Sequence, residues 1–194
     1  MAASLLPPWP PVPPAHGRVT LRAVEASDVE LARELSTDPY VPQTGSLPLH
    51  ATAEEARAWV HRQQQRHAEG AGFSFTVVDS GTGTPVGHCG LWLRELAQGR
   101  GSAGYSIAPS WRGRGLAADA LRALTAFAWT VPGLERVALA IEPWNQASVR
   151  TAERAGYVCQ GLLPAHQEIG GERRDVLLYL ARRPTAGQAP DLAR

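Results

Sequence analysis

The sequence predicts a layered α/β (α+β) domain with four helices on one mixed, mostly antiparallel sheet of seven strands. Segments of alternating apolar residues are interleaved with segments of helical periodicity, in the order β-α-α-β-β-β-α-β-α-β-β. Residues 102–141 follow the pattern strand, helix, strand, which predicts one right-handed parallel crossover in a sheet whose first part is antiparallel. The 194 residues, 44% hydrophobic and 19% charged, suit one globular domain.

The strands are predicted from apolar alternation between turns rich in glycine and proline. They cover residues 18–24, 73–79, 86–96, 102–109, 136–141, 157–171 and 173–182.

The helices are predicted from their start and stop signals. They cover residues 26–36, residues 51–70, a segment from the stretch 110–121 to about Trp129, and a short segment from about Gln146 to Gly156. Ser27 or Asp28 is placed to cap the first helix, and Thr52 with Glu55 has the spacing of a capping box at the second. The segment between these two helices contains three prolines and is predicted to be a loop.

The chain is expected to have three parts. Residues 1–17 are rich in proline and are expected to be extended or disordered, residues 18–183 form the single domain, and residues 184–194 are a tail. The first residues lack the basic start and apolar core of a signal peptide. Because no run of about 18 apolar residues occurs, we expect a cytoplasmic protein that has no membrane partner.

Composition excludes several classes of function. The net charge of +1 gives no general attraction to nucleic acid. All basic side chains are arginine, so a catalytic lysine is excluded. Cys89 and Cys159 lack metal-ligand spacing and are expected to be reduced core residues, and we expect no metal site.

The stretch SWRGRGLAADAL, residues 110–121, lies between a predicted strand and a predicted helix. The first turn of a helix has unpaired N–H groups and partial positive charge, which together bind phosphate. Gly113 and Gly115 allow a tight bend and close approach of a pyrophosphate, while Arg112 and Arg114 add charge and donors. We interpret the stretch as a phosphate cradle; the alternatives are an ordinary glycine-rich connection and a nucleic-acid-binding tag. It matches neither the P-loop nor the dinucleotide-binding motif.

Four segments resemble a known family. Arg112-x-x-Gly115-x-Ala117 looks like the acyl-CoA pyrophosphate loop of the GNAT superfamily of N-acetyltransferases, whose element order matches residues 18 to 182. PWNQASVRTAERAGY is similar to a segment of the ribosomal-protein N-terminal acetyltransferase (RimJ/RimL-like) branch. VTLRAVEASDVELA and the final GG-ERRDVLLYLARR also resemble that branch. The positions that carry the second and fourth resemblances are Asn145, Ser148, Gly156, Tyr157, Asp175 and Tyr179.

The resemblance implies that an amine attacks the thioester of acetyl-CoA directly. The thioester carbonyl then accepts a hydrogen bond from a backbone N–H at Tyr105, Ser106 or Ile107, where the strand separates from its parallel neighbour, and we favour Ile107. Asn145 is placed to bind the pantetheine region. The diphosphate is expected to bind the N–H groups of Arg112, Gly113, Arg114, Gly115, Leu116 and Ala117.

The resemblance also implies a donor to the leaving thiolate. Ser148 is the candidate, acting as a hydrogen-bond donor to sulfur or through a water relay. Many relatives use a tyrosine in this short helix, where this chain has Ala152. Asn145 and Ser148 also suit the start of a helix, so both residues could simply be capping residues.

The general base is left open among three candidates. The related branch places a glutamate about 19 residues after the serine, but here that position is Gln167. We rank Glu168 first, then Glu142, then His166, whose imidazole titrates near neutral pH. A shift of one residue in a strand reverses the face on which a side chain lies, which counts against Glu168.

The acceptor end is expected to be lined by the loop at residues 40–49 and by the final strand pair. Tyr40, Trp92 and Trp144 are the candidate aromatic contacts; Trp111 either joins them or packs beneath the cradle. The branch implies a peptide or protein N-terminus as acceptor, and relatives acylate small amines and antibiotics, some for self-protection. Three points stay open. The donor is acetyl-CoA or succinyl-CoA, the protein is a monomer or a homodimer, and the alternative to an enzyme is a silent acyl-CoA-binding module.

Overall fold

The computed structural model describes residues 6–185, which fold around a single eight-stranded sheet. Residues 1–5 and 186–194, which belong to the predicted N-terminal segment and tail, lie outside the described residues. The strands are β1 (Ala15–His16), β2 (Val19–Ala23), β3 (Gly72–Asp79), β4 (Thr84–Trp92), β5 (Arg100–Ile107), β6 (Arg136–Ile141), β7 (Val158–Ile169) and β8 (Glu172–Arg182). Their order across the sheet is β1-β2-β3-β4-β5-β6-β8-β7.

The predicted mixed, mostly antiparallel sheet is confirmed, but the predicted number of seven strands is wrong. The additional strand is β1, which pairs antiparallel with the start of β2. It has only two residues, too few for an alternating pattern to reveal it in the sequence.

The four predicted helices are present, with boundaries shifted by a few residues. They are α1 (Val29–Leu35), α2 (Ala53–Gln65), α3 (Leu116–Ala128) and α4 (Gln146–Arg154). The capping box between Thr52 and Glu55 at the start of α2 is confirmed. Asp28 occupies the N-cap position of α1 but makes no cap bond, because its buried carboxylate binds Arg22 and Thr76 instead.

Residues 6–17 contain several bends, include the short strand β1 and pack against the domain. The Trp9 ring meets the rings of Phe73 and Phe75 edge-on, with centroid distances of 5.4 and 5.1 Å, and Leu6 is buried. The proline content predicts a segment that is extended or disordered. It does not predict that two large apolar side chains in this segment are covered by the apolar face of the sheet.

The predicted parallel pair is β5 and β6, but the two strands pair only at their beginnings. The Cα partners run from Arg100 opposite Arg136 to Ser102 opposite Ala138. Beyond that point β5 continues to Ile107 while still paired with β4. The sheet therefore opens into a cleft between the carboxyl-terminal ends of β5 and β6.

The two faces of the sheet are covered differently. On one face, α3 and α4 pack over the main core, which includes Leu91 and Ile107. On the other face, α1 and α2 enclose a second core that includes Trp59. Ala140 and Val158 share this second face and are exposed, because the sheet is open to solvent there beyond β5. The cleft thus opens onto an uncovered part of the sheet.

Candidate active site

The loop between β5 and α3 has the backbone shape that an anion cradle requires. Gly113 and Gly115 have φ angles of +75° and +79°, in the left-handed region that favours glycine. A Cβ atom at either position would meet no heavy atom within 4 Å. Gly115 is the N-cap residue of α3 and supplies no side chain to cap the helix. The start of α3 is therefore open to a ligand.

The N–H groups at the start of α3 are available for such a ligand. Ala118 and Asp119 are the first residues of the helix to donate to a backbone carbonyl, in both cases that of Gly115. Across residues 6–185, no backbone carbonyl accepts a bond from the N–H groups of residues 113–117. This set contains Gly113, Arg114, Gly115, Leu116 and Ala117, and it fits the diphosphate of CoA.

Arg112 has a different place from the one expected. Its N–H donates to the Pro109 carbonyl at 3.4 Å, so this group does not belong to the available set. Its side chain donates to the Ile107 carbonyl at 3.0 Å and forms an ion pair with Asp38 at 2.5 Å. The pairing with Arg112 and two backbone N–H groups outweigh burial and lower the pKa of Asp38. Arg112 thus shapes the cradle and joins it to the loop after α1.

The guanidinium group of Arg114 lies at the edge of the cradle. Its guanidinium carbon lies 4.5 Å from the centroid of the Trp111 ring, and it also donates to the Ser110 carbonyl at 3.2 Å. Trp111 contacts both hydrophobic cores, so it packs beneath the cradle rather than joining an acceptor wall.

The backbone N–H of Ile107 is directed toward the cleft. Ala108 donates its own N–H to the Val86 carbonyl of β4 at 2.9 Å. Because the N–H groups of successive strand residues point in opposite directions, the N–H of Ile107 points away from β4, and so does that of Tyr105. The intervening N–H of Ser106 points toward β4. The geometry therefore favours Ile107 over Ser106 as a donor to a carbonyl in the cleft.

Asn145 and Ser148 lie together at the start of α4, across the cleft from β5. The Asn145 side chain accepts the Ser148 N–H at 3.1 Å, so the expected cap exists. This cap involves only the backbone N–H of Ser148, so the hydroxyl group of Ser148 takes no part in it. From β5, the Tyr105 hydroxyl donates a hydrogen bond to the Ser148 carbonyl at 3.5 Å. Burial raises the pKa of Tyr105, and its contacts with Ser148 and Thr151 offset part of that rise.

Tyr40, Glu142 and Trp144 form a cluster beside Asn145. The Tyr40 and Trp144 rings meet edge-on with a centroid distance of 4.9 Å. Burial, followed by the neighbouring Glu142 carboxylate, raises the pKa of Tyr40, and Asn145 opposes the rise. Glu142 directly follows β6 and is only 6% exposed, whereas Trp144 is 62% exposed. The cluster thus combines a buried carboxylate with an exposed aromatic surface at the cleft.

The other two candidate bases lie near the tip of the β7–β8 hairpin. His166 and Glu168 are exposed, and Glu168 pairs in register with Arg173. Gln167 is half-buried opposite Arg174, so the neighbouring positions 167 and 168 do lie on opposite faces. Within the described part of the chain, neither His166 nor Glu168 forms a side-chain hydrogen bond or ion pair with the cluster around Glu142.

The loop after α1 and the final hairpin meet, as expected for the acceptor end. The Gly170 N–H, at the hairpin turn, donates to the Gln43 carbonyl at 3.2 Å. Trp92 does not join them. It stands at the end of β4 nearest the start of β5, with the guanidinium carbon of Arg66 at 4.6 Å from its ring centroid. Trp92 and Trp144 therefore belong to different surroundings, because Trp92 lies opposite Ser102 at the start of β5 and Trp144 packs against Tyr40.

Sequence reasoning missed the residues that fix the cradle from the helical side. Asp38 binds Arg112, and Glu34 accepts from the N–H and hydroxyl groups of Ser110 at 3.1 and 2.6 Å. The one available signal is Asp38 itself, since aspartate readily bonds backbone N–H groups two and three residues later and does so here with Tyr40 and Val41. A bond between segments more than 70 residues apart leaves no local pattern.

A sheet that opens at its parallel pair, with an anion cradle after the first strand of that pair, defines a CoA-dependent acyltransferase. The model of the acetyltransferase (GNAT) domain matches residues 18–158, most of the chain, and the protein belongs to this family. It is an N-acetyltransferase that uses acetyl-CoA as cosubstrate.

Similar proteins agree with this assignment. The chain is 26% identical over 171 residues to the uncharacterized N-acetyltransferase p20 of Bacillus licheniformis, a match that covers 88% of this chain and 96% of the relative. The structure of RimL, a ribosomal α-N-protein acetyltransferase in complex with coenzyme A, matches with a TM-score of 0.74 and 22% identity, over 88% of this chain and 97% of that one. MccE, a microcin self-immunity acetyltransferase in complex with acetyl-CoA and AMP, matches with a TM-score of 0.74 and 14% identity, over 86% and 93%. At these identities the two structures show the fold.

Residues 6–185 contain neither a candidate membrane span nor a candidate metal site. No helix there is long and apolar enough to cross a membrane. No group of three or more His, Cys, Asp or Glu side chains is arranged to hold a metal ion in the same range. Cys89 is buried as expected, but the expectation that Cys159 is a core residue is wrong, because it is exposed on the edge strand β7.

Proposed function

We propose that this acetyltransferase modifies the N-terminal α-amine of a peptide or protein. The observation that supports the proposal best is the shape of the sheet, which is open on the face beyond β5, from the cleft to the exposed Val158 of β7. An extended chain can lie along such a surface with its amine in the cleft. A small amine needs no comparable surface.

The cradle holds the cosubstrate through backbone groups. When bound, acetyl-CoA supplies the acetyl thioester that the amine attacks. The N–H groups of residues 113–117 bind its diphosphate, and Asn145 lies beside the cleft where its side chain can bind the pantetheine region. The N–H of Ile107 donates to the carbonyl oxygen and stabilises the negative charge that develops there.

Glu142 is the base that we now favour. An α-amine must lose its proton before it attacks, and Glu142 is buried at the cleft next to Asn145. Glu168 and His166 are exposed on the hairpin, so they are less suited to hold a proton at the amine. General-base catalysis by a positioned carboxylate contributes about 10²–10⁴-fold.

Ser148 is the proposed donor to the leaving sulfur. Its hydroxyl group is free of the cap that fixes its backbone, and α4 faces Tyr105 of β5 across the cleft. The proton that Glu142 accepts can reach solvent through water at the open side. Tyr40 and Trp144 then flank the acceptor, with Trp144 offering an exposed ring for a side chain or backbone to pack on.

A second candidate is the acetylation of a small amine or an antibiotic, including self-protection. The observation that favours it is the small aromatic-carboxylate cluster of Tyr40, Trp144 and Glu142, since an aromatic face next to a carboxylate also suits a compact cation. A silent acyl-CoA-binding module is less favoured, because the buried Glu142 compensates for Gln167.

The experiment is a comparison of kcat/KM across two panels with acetyl-CoA as donor. One panel contains peptides with a free α-amine, each matched to an N-terminally blocked copy, and the other contains polyamines and aminoglycosides. We expect thiol release with the free peptides and none with the blocked copies. A higher kcat/KM for a small amine would replace the peptide proposal, and CoA binding without turnover on either panel would support the silent module.

We propose a cytoplasmic location, and a monomer or homodimer.

A further inference from the structure

Arg66 lies over the sheet at the end of α2, on the face that opens beyond β5. Its guanidinium carbon is 4.6 Å from the centroid of the Trp92 ring, and Nη1 donates to the Ser74 hydroxyl at 3.2 Å. Ser74 also contacts Gln63 and His88 in a buried polar network. The guanidinium is therefore held in a fixed, half-buried position.

Within residues 6–185, this cation has no ion-pair partner of opposite charge. Among the described residues, no carboxylate oxygen lies within 4.0 Å of Arg66 or of Arg94. Burial, and secondly the Arg94 cation, lowers the pKa of Arg66 to about 10, while the Glu69 carboxylate has the opposite effect. Arg94 is exposed and lines a cavity with Trp92, on whose ring Arg66 packs, and two cations beside one ring favour an anionic ligand.

A shallow cavity of about 360 Å³ lies beside these arginines. Its lining residues are Trp92, Arg94, Glu95, Arg100, Gly101 and Ser102. The one carboxylate among them, Glu95, binds Arg100 through both oxygens at 2.8 Å. Arg94 is therefore the cation of this lining that is available to a ligand. The Trp92 ring, which lines the same cavity, also packs against Arg66.

The arginines lie at a defined distance from the acyl-transfer site. A Cβ atom at Gly90 would lie 2.9 Å from Arg66 Nη1, and a Cβ at Gly90 or Gly104 would lie within 3.2 Å of the Trp92 ring. Gly90 pairs with Gly104, three residues before Ile107 on the same strand. Three strand residues span about 10 Å.

We propose that Arg66 and Arg94 bind a carboxylate of the acceptor, carried about 10–17 Å from the amine that is acetylated, since Gly104 beside Arg66 and Ser102 in the cavity lined by Arg94 lie three and five residues before Ile107. On an extended peptide this distance places the carboxylate on the side chain of about the third to sixth residue. The inference rests on the proposed peptide acceptor and names its class, which is an acidic N-terminal segment. Between the two sites Ser106 has a small side chain, and the Trp92 ring packs over Gly104.

The test uses C-terminally amidated hexapeptides that carry one glutamate at each of positions two to six, each matched to a glutamine copy. A further arm uses glutamine-only tripeptides with a free C-terminal carboxylate, to distinguish a terminal from a side-chain carboxylate. We expect glutamate at one of positions three to six, and not at position two, to lower KM about tenfold relative to glutamine, with kcat little changed. Arg94→Gln and Arg66→Gln should each remove most of this difference, while Arg57→Gln, on the exposed side of α2, should retain it.

Binding of the same peptides to the CoA-loaded protein, measured by calorimetry, separates the inference from the function on which it rests. Equal KM values for glutamate and glutamine peptides, or a preference that survives in the Arg66→Gln/Arg94→Gln double variant, would overturn the inference and leave acetyl transfer intact. Preferential binding of glutamate peptides without acetylation would instead overturn the proposed function. A preference limited to the free C-terminal carboxylate would overturn the side-chain assignment.

Discussion

The conformation of Gly115 allows a substitution whose effects on the fold and on the cosubstrate can be separated. A glutamate at this position would have to adopt φ near +79°, which costs about 1–2 kcal/mol of stability. It would clash with nothing, because no heavy atom lies within 4 Å of a Cβ there. We therefore expect Gly115→Glu to fold, with a modest decrease in Tm.

The effect on CoA binding is expected to be much larger. The new carboxylate would lie in the space that the diphosphate occupies, and two unit charges about 4 Å apart repel by about 4 kcal/mol at the effective dielectric of a protein surface. Side-chain rotation can reduce this repulsion to about 2 kcal/mol, so the Kd for CoA should rise about 30-fold to 1000-fold.

The matched control is Gly133→Glu. Gly133 has φ +77° and equally open surroundings, but it lies in the turn after α3, at the opposite end of that helix from the cradle. The assay is calorimetric titration of CoA into the wild-type protein and both variants, with a thermal melt of each. Similar Tm values and a loss of CoA affinity in Gly115→Glu alone are expected. An unchanged Kd in Gly115→Glu would refute the cradle.

Three further predictions concern the cleft and the buried network. Ser148→Ala should lower kcat about tenfold with unchanged CoA affinity, whereas Thr151→Ala in the same helix should leave kcat unchanged; equal rates for wild type and Ser148→Ala would reduce Ser148 to a capping residue. Glu142→Gln should lower kcat/KM about 10²-fold or more, and Glu168→Gln should have little effect; the reverse order would return the base to the hairpin. Burial, and secondly the Arg66 cation, lowers the pKa of His88 to about 3, while Asp28 has the opposite effect. At pH values below the ordinary pKa of histidine, the unfolded chain therefore binds more protons than the folded chain. The free energy of unfolding should thus fall by about 2–3 kcal/mol between about pH 7.5 and 4.5, and His88→Gln should remove this loss in urea melts; an equal loss in the variant would contradict the assignment.

The sequence predicts those parts of the fold that follow from local patterns. The capping box of Thr52 and Glu55, the helix start after Gly115 and the cap at Asn145 all rest on residues at most a few positions apart. Such signals are local, so they can be recognised without knowledge of the tertiary structure. The alternation of β3 to β6 and β8 likewise predicts strands, because each has at least one buried face.

The prediction was incomplete wherever distant segments meet. Trp9 packs on β3, and Asp38 binds Arg112 across 74 positions, and neither contact has a local pattern. The spacing of the glutamate in a related branch favours Glu168 as the base. The burial of Glu142 beside Tyr40 depends on how β6 ends against the loop after α1, and only the structure shows it.

The most direct test of acetyl transfer at this cleft is mass-spectrometric localisation of the acetyl group. The wild-type protein is incubated with acetyl-CoA and a peptide that carries a free α-amine, beside its N-terminally blocked copy, while thiol release is recorded. We expect one acetyl group on the α-amine, equal in amount to the thiol released, and neither product with the blocked peptide. Thiol release without a modified amine, or equal acetylation of the blocked peptide, would contradict transfer to the α-amine.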